Sequence, residues 1–342
     1  IQMKIKQVNN VQNPFAEVIP KKSIQYFVFW TLSYLLSPII VPIRILIVCF
    51  SLFSMKFFVG LLTKELDLQK PLHSVRQKLI QKAISINCRI TMFGLGYYKI
   101  VEKNVQNKPN FEKAHVVISN HVSSFDPIPF LSLGFQSFVA KEDVRKLPFF
   151  GLGTWAGQGI FVSRDNKKQT EIATSQIFDR INNDIQNFGF PRKFPALTIF
   201  PESTTVNQTA LLPFKKGAFM GGKPVSMVSL QYCNKYYDHS DASISMFKAQ
   251  IKAFIGLWNG ITITYMGDYY PNEEEQTNVQ LYANNVREFY HQQLNWVKSE
   301  CSMKDKFYFF GKHNDFEKCS EYFKANFGPE HKRINNWVVE AK

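Results

Sequence analysis

Residues 24–62 read IQYFVFWTLSYLLSPIIVPIRILIVCFSLFSMKFFVGLL, with Lys21 and Lys22 before them and Lys64 after. No other stretch is so apolar, and its apolar residues run all round a helix instead of along one stripe, as suits a helix surrounded by lipid. The competing reading is a pair of buried core helices in a water-soluble domain. Pro38 and Pro42 are expected to break the run, leaving about 14 residues before and about 20 after, or roughly 21 and 30 Å of helix. A hydrocarbon core is about 30 Å thick, so the first piece is too short to cross it and the second barely reaches. Arg44 and Lys56 add to the cost of a simple span unless they snorkel towards headgroups. The expectation is therefore a membrane-embedded helical hairpin in one leaflet within residues 1–70, with Tyr26, Phe27, Phe29 and Trp30 as interfacial anchors.

The rest of the chain reads differently. After a polar stretch come short apolar runs that suit strands: HVVIS (115–119), SFVA (137–140), GIFVS (159–163), ALTIF (196–200), PVSMVSLQ (224–231) and GITITYM (260–266). Helical patterns fall at 169–188, 244–258 and 279–297. Strands alternating with helices predict an α/β domain over residues 71–300, a mostly parallel central sheet flanked by helices. An appended helix or two is expected after Cys301, over residues 301–342. With 45% apolar residues in 342, the core is large enough to fold. The formal charge of +14 favours a polyanionic partner, whether phospholipid headgroups, a phosphorylated cofactor or nucleic acid.

One segment concentrates the chemistry. NHVSSFD (120–126) follows the strand-like HVVIS and holds His121 and Asp126 five positions apart. On a regular helix that spacing turns through about 140°, so the two side chains would not face one another. They meet only in a strand-to-helix turn, which Pro127 supports by suiting the first position of a helix. The same placement allows a plainer reading, in which Asp126 is merely a helix N-cap and His121 a loop residue.

Three further blocks change the balance: GIFVS ending at Arg164, ALTIF running into PESTTVN, and PFKKGAF at 213–219. Together with Asn120, His121 and Asp126 they resemble the glycerophospholipid acyltransferase family, in its Asn-His-x4-Asp, Gly-x-Ile-Phe-x-x-Arg and Phe-Pro-Glu-Gly-Thr signatures and Pro-containing strand. VPIRILIV (41–48) and YYPNEEEQTNVQLYANNVREF (269–289) look most like the lysophosphatidylcholine acyltransferase branch and its glycerol-3-phosphate acyltransferase relatives. The resemblance covers roughly residues 38–300.

That resemblance implies transfer of a fatty acyl group from acyl-CoA, as co-substrate, to a hydroxyl of a lysophospholipid or glycerol phosphate, with no further cofactor. His121 would take the acceptor's proton and Asp126 would orient the imidazole. Arg164 would grip the acceptor phosphate, and Glu202 would orient the acceptor or Arg164. Asn120, Ser203 and Thr204 would lie beside the substrate, and Lys141, Lys215 and Lys216 would add positive field for CoA or lipid phosphates. Ser203 is a departure, since the family has glycine there, a residue that allows a positive φ or a close backbone approach. Ser226 and Met227 also depart from the family's last block.

Other chemistries find no support in the chain. There is no G-x-S-x-G nucleophile elbow, the glycines of GLGTWAG (151–157) are wrongly spaced for a dinucleotide fingerprint, and no histidine pair has zinc-ligand spacing, so no metal is expected. EF-hand loops are absent, the NQT sequon at 207–209 lies in the expected site, and the five scattered cysteines read as reduced packing residues. Nucleic-acid binding rests on charge alone. The alternative to an enzyme is an acyltransferase fold kept as a lipid-binding structural subunit of a larger membrane complex. Membrane phospholipids are the expected partners in either case. The family points to the endoplasmic reticulum, whereas the basic charge and a start at Ile1 instead of Met suit a processed mitochondrial protein.

Overall fold

The computed structural model describes residues 12–111, 114, 116–135, 137–147, 149–163, 167–182, 194–242, 246–329 and 338–340. Its strands are β1 (Glu17–Ile19), β2 (Ile100–Lys103), β3 (Val116–Ser119), β4 (Ser137–Lys141), β5 (Ile160–Val162), β6 (Leu197–Ile199), β7 (Ala210–Leu211), β8 (Val225–Tyr232), β9 (Ile261–Tyr269), β10 (Val297–Lys298) and β11 (Val338–Glu340). Its α-helices are α1 (Ile24–Ser54), α2 (Gly60–Thr63), α3 (Ser74–Gly94), α4 (Pro127–Ser132), α5 (Phe150–Ala156), α6 (Lys167–Asn182), α7 (Met246–Ile255), α8 (Glu273–Thr277), α9 (Val279–Leu294), α10 (Met303–Phe309) and α11 (Glu321–Phe327).

Seven strands form one sheet in the order β2-β9-β8-β3-β6-β4-β5. Only β8 and β9 pair antiparallel, with a register shift at Met227/Val228; the remaining pairings are parallel. All six strand-like runs of the sequence lie in this sheet. Helices cover both faces, as a mostly parallel sheet requires. One core gathers Ile80, Ile84, Phe130 and Phe138 with Val117 and Val228; the other gathers Ile177, Tyr282, Val286 and Tyr290 with Val116 and Ile118. Neighbouring residues of β3 thus feed opposite cores, the period of two expected of a strand buried on both sides. A third cluster joins Phe309 and Phe323 of the C-terminal helices to Phe15, Val206 and Leu212.

The front of the chain corrects one expectation. The helix does not break at Pro38 and Pro42: α1 carries both prolines and continues through a π-helical turn, Met55–Val59, into α2. Ile24–Thr63 is thereby a single helical run of 40 residues, long and apolar enough to cross a membrane. Part of the reason is local. Pro38 has no N–H for the Tyr34 carbonyl one turn back, and the Ser37 hydroxyl donates to that carbonyl instead, at 2.9 Å. The reversal comes at residues 64–73, and α3 packs back along α1, with Ser51 donating to the Asn87 carbonyl and Gly94 lying against Val48. A Cβ on Gly94 would come within 2.8 Å of the Val48 side chain, so this close approach needs glycine.

Phe27, Leu35, Ile39, Leu46 and Phe53 of α1 are each more than half exposed, so within this chain α1 is not a buried core helix but presents a large apolar face, as a membrane-associated helix would. Phe29 instead turns inward, stacked at 3.7 Å on Tyr236. Arg44 also departs from the sequence reading. It is 3% exposed and does not snorkel: its guanidinium donates to the Ala253, Phe254, Gly256 and Leu257 carbonyls at and just beyond the end of α7, and to the Tyr98 hydroxyl. Carbonyls at a helix C-terminus lack intrahelical partners and favour a cation.

Replacing Arg44 with Ala should therefore cost about 3 kcal/mol or more, since several buried carbonyls lose a charged donor together. Denaturant unfolding of the detergent-solubilised protein tests this, and an unchanged midpoint would contradict it.

Candidate active site

The carboxyl ends of β3 and β6, parallel neighbours in the sheet, carry the first and third sequence blocks, where open α/β sheets place their ligands. As β3 ends, the buried Asn120 amide donates to the Leu230 carbonyl and accepts from the Leu230 N–H, both at 2.9 Å. It pins the turn to β8. Having no exposed surface, it cannot make the substrate contact expected of it.

The next residues form the strand-to-helix turn that brings His121 to Asp126. Asp126 is fully buried and precedes α4, yet its side chain does not cap that helix. The carboxylate turns back to accept from Val122 N–H at 2.7 Å, Ser123 N–H at 3.0 and 3.1 Å, and the Tyr232 hydroxyl at 2.9 Å. His121 Nδ1 lies 2.9 Å from the same carboxylate. The plain N-cap reading is thereby excluded. Since a carboxylate only accepts, Nδ1 carries a proton, and in the neutral ring it is Nε2 that presents the lone pair. The imidazole lies flat on Phe200, 4.2 Å away at 10°, and its side chain keeps 19% of its surface open.

The backbone of His121 is held from the third block. Its N–H donates to Glu202 Oε1 at 3.0 Å, its carbonyl accepts from Val206 N–H at 2.9 Å, and Glu202 Oε2 accepts from Leu212 N–H at 2.9 Å. Glu202 is 2% exposed, so it positions the chain around His121 and offers no surface to an acceptor, a correction to the sequence reading. Burial pushes its carboxyl up to about 7, against the pull of the two N–H donors and Arg287.

Ser203 adopts φ 59°, the left-handed conformation a glycine takes freely, so the serine keeps the turn at the cost of local strain. Thr204 is half-buried beside it. Lys141, at the end of β4, and Lys215 and Lys216, beside the third block, are exposed. Arg164 lies outside the described residues.

Two participants escaped the sequence reading. Tyr232 comes from the end of β8, where nothing local marks it; its ring stacks against His239, 5.1 Å away, an imidazole that burial pushes down to about 3. Lys306 comes from α10 and donates to the Thr204 hydroxyl and to the Thr205 hydroxyl and carbonyl. Among the described residues, no group of three or more His, Cys, Asp or Glu could hold a metal ion.

Residues 99–223, which include His121, Asp126 and Glu202, match the family model described as Acyltransferase. The match is confined to this stretch, the part of the chain that carries the His121–Asp126 turn and Glu202. The chain is 33% identical over 195 residues to a lysophospholipid acyltransferase of Arabidopsis thaliana, covering 57% of this chain and 48% of that protein. It is 29% identical over 302 residues to a lysophosphatidylcholine acyltransferase of Drosophila melanogaster (86% and 54%), and 30% identical over 290 residues to lysophosphatidylcholine acyltransferase 1 of Rattus norvegicus (81% and 50%). The chain thus spans about half the length of these curated acyltransferases. A solved structure, the 1-acyl-sn-glycerophosphate acyltransferase of Thermotoga maritima, aligns with a TM-score of 0.49 at 17% identity, over 80% of this chain and 97% of that one.

Two outcomes follow from the geometry of this site. Ser203→Gly should raise stability by about 0.5–1 kcal/mol, the relieved strain less the glycine's added entropy, and a loss of stability would refute the strain. Glu202 titrates near 4.5 when unfolded and near 7 when folded. Its stabilisation as a neutral acid is complete below about pH 4.5 and is lost as pH rises through about 7. Between pH 5 and 7 the wild type should lose up to about 1.4 kcal/mol per pH unit relative to Glu202→Gln, read as denaturation midpoints; parallel profiles would show no shift.

Proposed function

We propose that the chain is an acyl-CoA-dependent O-acyltransferase that moves a fatty acyl group onto a hydroxyl of a lysophospholipid or glycerol phosphate, with His121 as general base. The observation that carries this reading is the His121–Asp126 pair, whose geometry leaves Nε2 as the free basic atom on a partly open ring. The acceptor hydroxyl gives its proton to Nε2 as its oxygen attacks the thioester carbonyl. The imidazolium is held by the buried carboxylate, and collapse of the tetrahedral intermediate breaks the C–S bond. The CoA thiolate then takes the proton from Nε2, returning the ring to its starting state. No serine or cysteine nucleophile is required, because the acceptor supplies the oxygen. The curated relatives, named for lysophospholipid and lysophosphatidylcholine acyl transfer, support the acceptor class. The exposed apolar face of α1 supports a membrane site of action, where both the acceptor and the acyl chain reside.

The test is incubation of the purified protein with radiolabelled acyl-CoA and a panel of lysophospholipids and glycerol 3-phosphate. Labelled diacyl product, or lysophosphatidate from glycerol 3-phosphate, is expected, and His121→Ala should reduce its rate at least about a hundredfold. Undiminished turnover in that variant would sink the general-base role.

A further inference from the structure

The C-terminal segment delivers a cation to the third block from a long way along the chain. Lys306 donates to Thr204 Oγ1 at 3.2 Å, Thr205 O at 2.8 Å and Thr205 Oγ1 at 2.5 Å. These are neutral oxygens, and no carboxylate of the described residues lies at ion-pair distance from its ammonium. Its helix is firmly seated: buried Asp305 accepts from Ser302 N–H and from the Ser320 N–H and hydroxyl, while Phe309 packs against Phe15.

The charges that face Lys306 are mixed but short of a partner. Desolvation lowers its pKa to about 8, and Lys312 and Lys141 push the same way, against the pull of Asp241 and Glu202. A partly desolvated ammonium among other lysines, lacking a counter-ion of its own, leaves positive potential for an incoming anion to neutralise. The hydroxyls add direction. Both threonine oxygens accept from Lys306, so each keeps its own hydrogen to donate elsewhere. The site is also close to the chemistry in the chain, because Val206, next to Thr205, donates to the His121 carbonyl at 2.9 Å.

We propose that Lys306, with the Thr204 and Thr205 hydroxyls it orients, forms an anion subsite beside His121 that binds a phosphate of one of the two substrates. This rests on the acyltransferase reading, in which the acyl acceptor and CoA both carry phosphate. The C-terminal helices are then part of the substrate site as well as a packing element.

The experiment measures KM separately for glycerol 3-phosphate or lysophosphatidylcholine and for acyl-CoA, in the full chain and in Lys306→Met and Lys306→Arg. Lys306→Met should raise one of the two KM values about tenfold or more, by more than it changes kcat, and Lys306→Arg should restore most of it. Which KM moves identifies the source of the phosphate. In the wild type the same KM should climb between pH 7 and 9 as the ammonium loses its proton, and in Lys306→Arg it should stay flat. A lower melting temperature with both KM values unchanged would make Lys306 a tether only and overturn the proposal. If Lys306→Met does not fold, Thr204→Val replaces it, with the same expected rise and the same overturning result. If the wild type transfers no acyl group to any acceptor, the enzymatic reading fails by itself. Calorimetric titration with glycerol 3-phosphate and with CoA then decides the subsite: binding lost in Lys306→Met supports it, and equal or absent binding overturns it.

Discussion

A carboxylate with no exposed surface must have its acceptor capacity filled by the protein, and Asp126 is such a group at the centre of this one. Its donors come from the turn itself, from the His121 ring and from Tyr232 on β8. Filling them closes the turn, fixes which imidazole nitrogen holds the proton and ties the site to the sheet. The remaining supports act on the backbone beside it: Asn120 pins the turn to β8, and Glu202 and Val206 hold both sides of His121. The rigidity of the site is thus a consequence of burying one charge and one amide at the end of β3.

The same logic of buried polar groups joins the apolar helix to the α/β body. Arg44 would be costly in lipid, and here it spends its donors on carbonyls at the end of α7. The result is a long helix with an exposed apolar side and a body-facing side, the second marked by Phe29, Ser33, Arg44 and Ser51. Packed in this way, the long apolar helix is tied to the α/β body through buried polar groups.

Much of this was legible beforehand. Six of the seven strands of the main sheet announced themselves as short apolar runs, and the His-Asp turn by the order of strand, polar residues and proline. The errors share one cause. Pro38 argues for a break until Ser37 is seen to serve the orphaned carbonyl, and Arg44 argues for snorkelling until α7 arrives beside it. Helix α3 passed as a polar stretch, although Ile80, Ile84, Cys88 and Met92 already show its buried stripe at a spacing of four. Asn120 and Glu202 sit in the expected blocks, yet their polar atoms face backbone and not solvent.

By itself, then, the sequence determined the apolar helix, the alternation of strands and helices and the presence of a histidine and an aspartate at one turn, because these depend on local pattern and short-range geometry. Only the tertiary structure decided which polar groups are buried and what they bond, and so which are supports and which are open to substrate. Tyr232, Lys306 and the fate of Arg44 belong to that second class. Each acts on residues about a hundred or more positions away, and such a partner leaves no mark in the local chain.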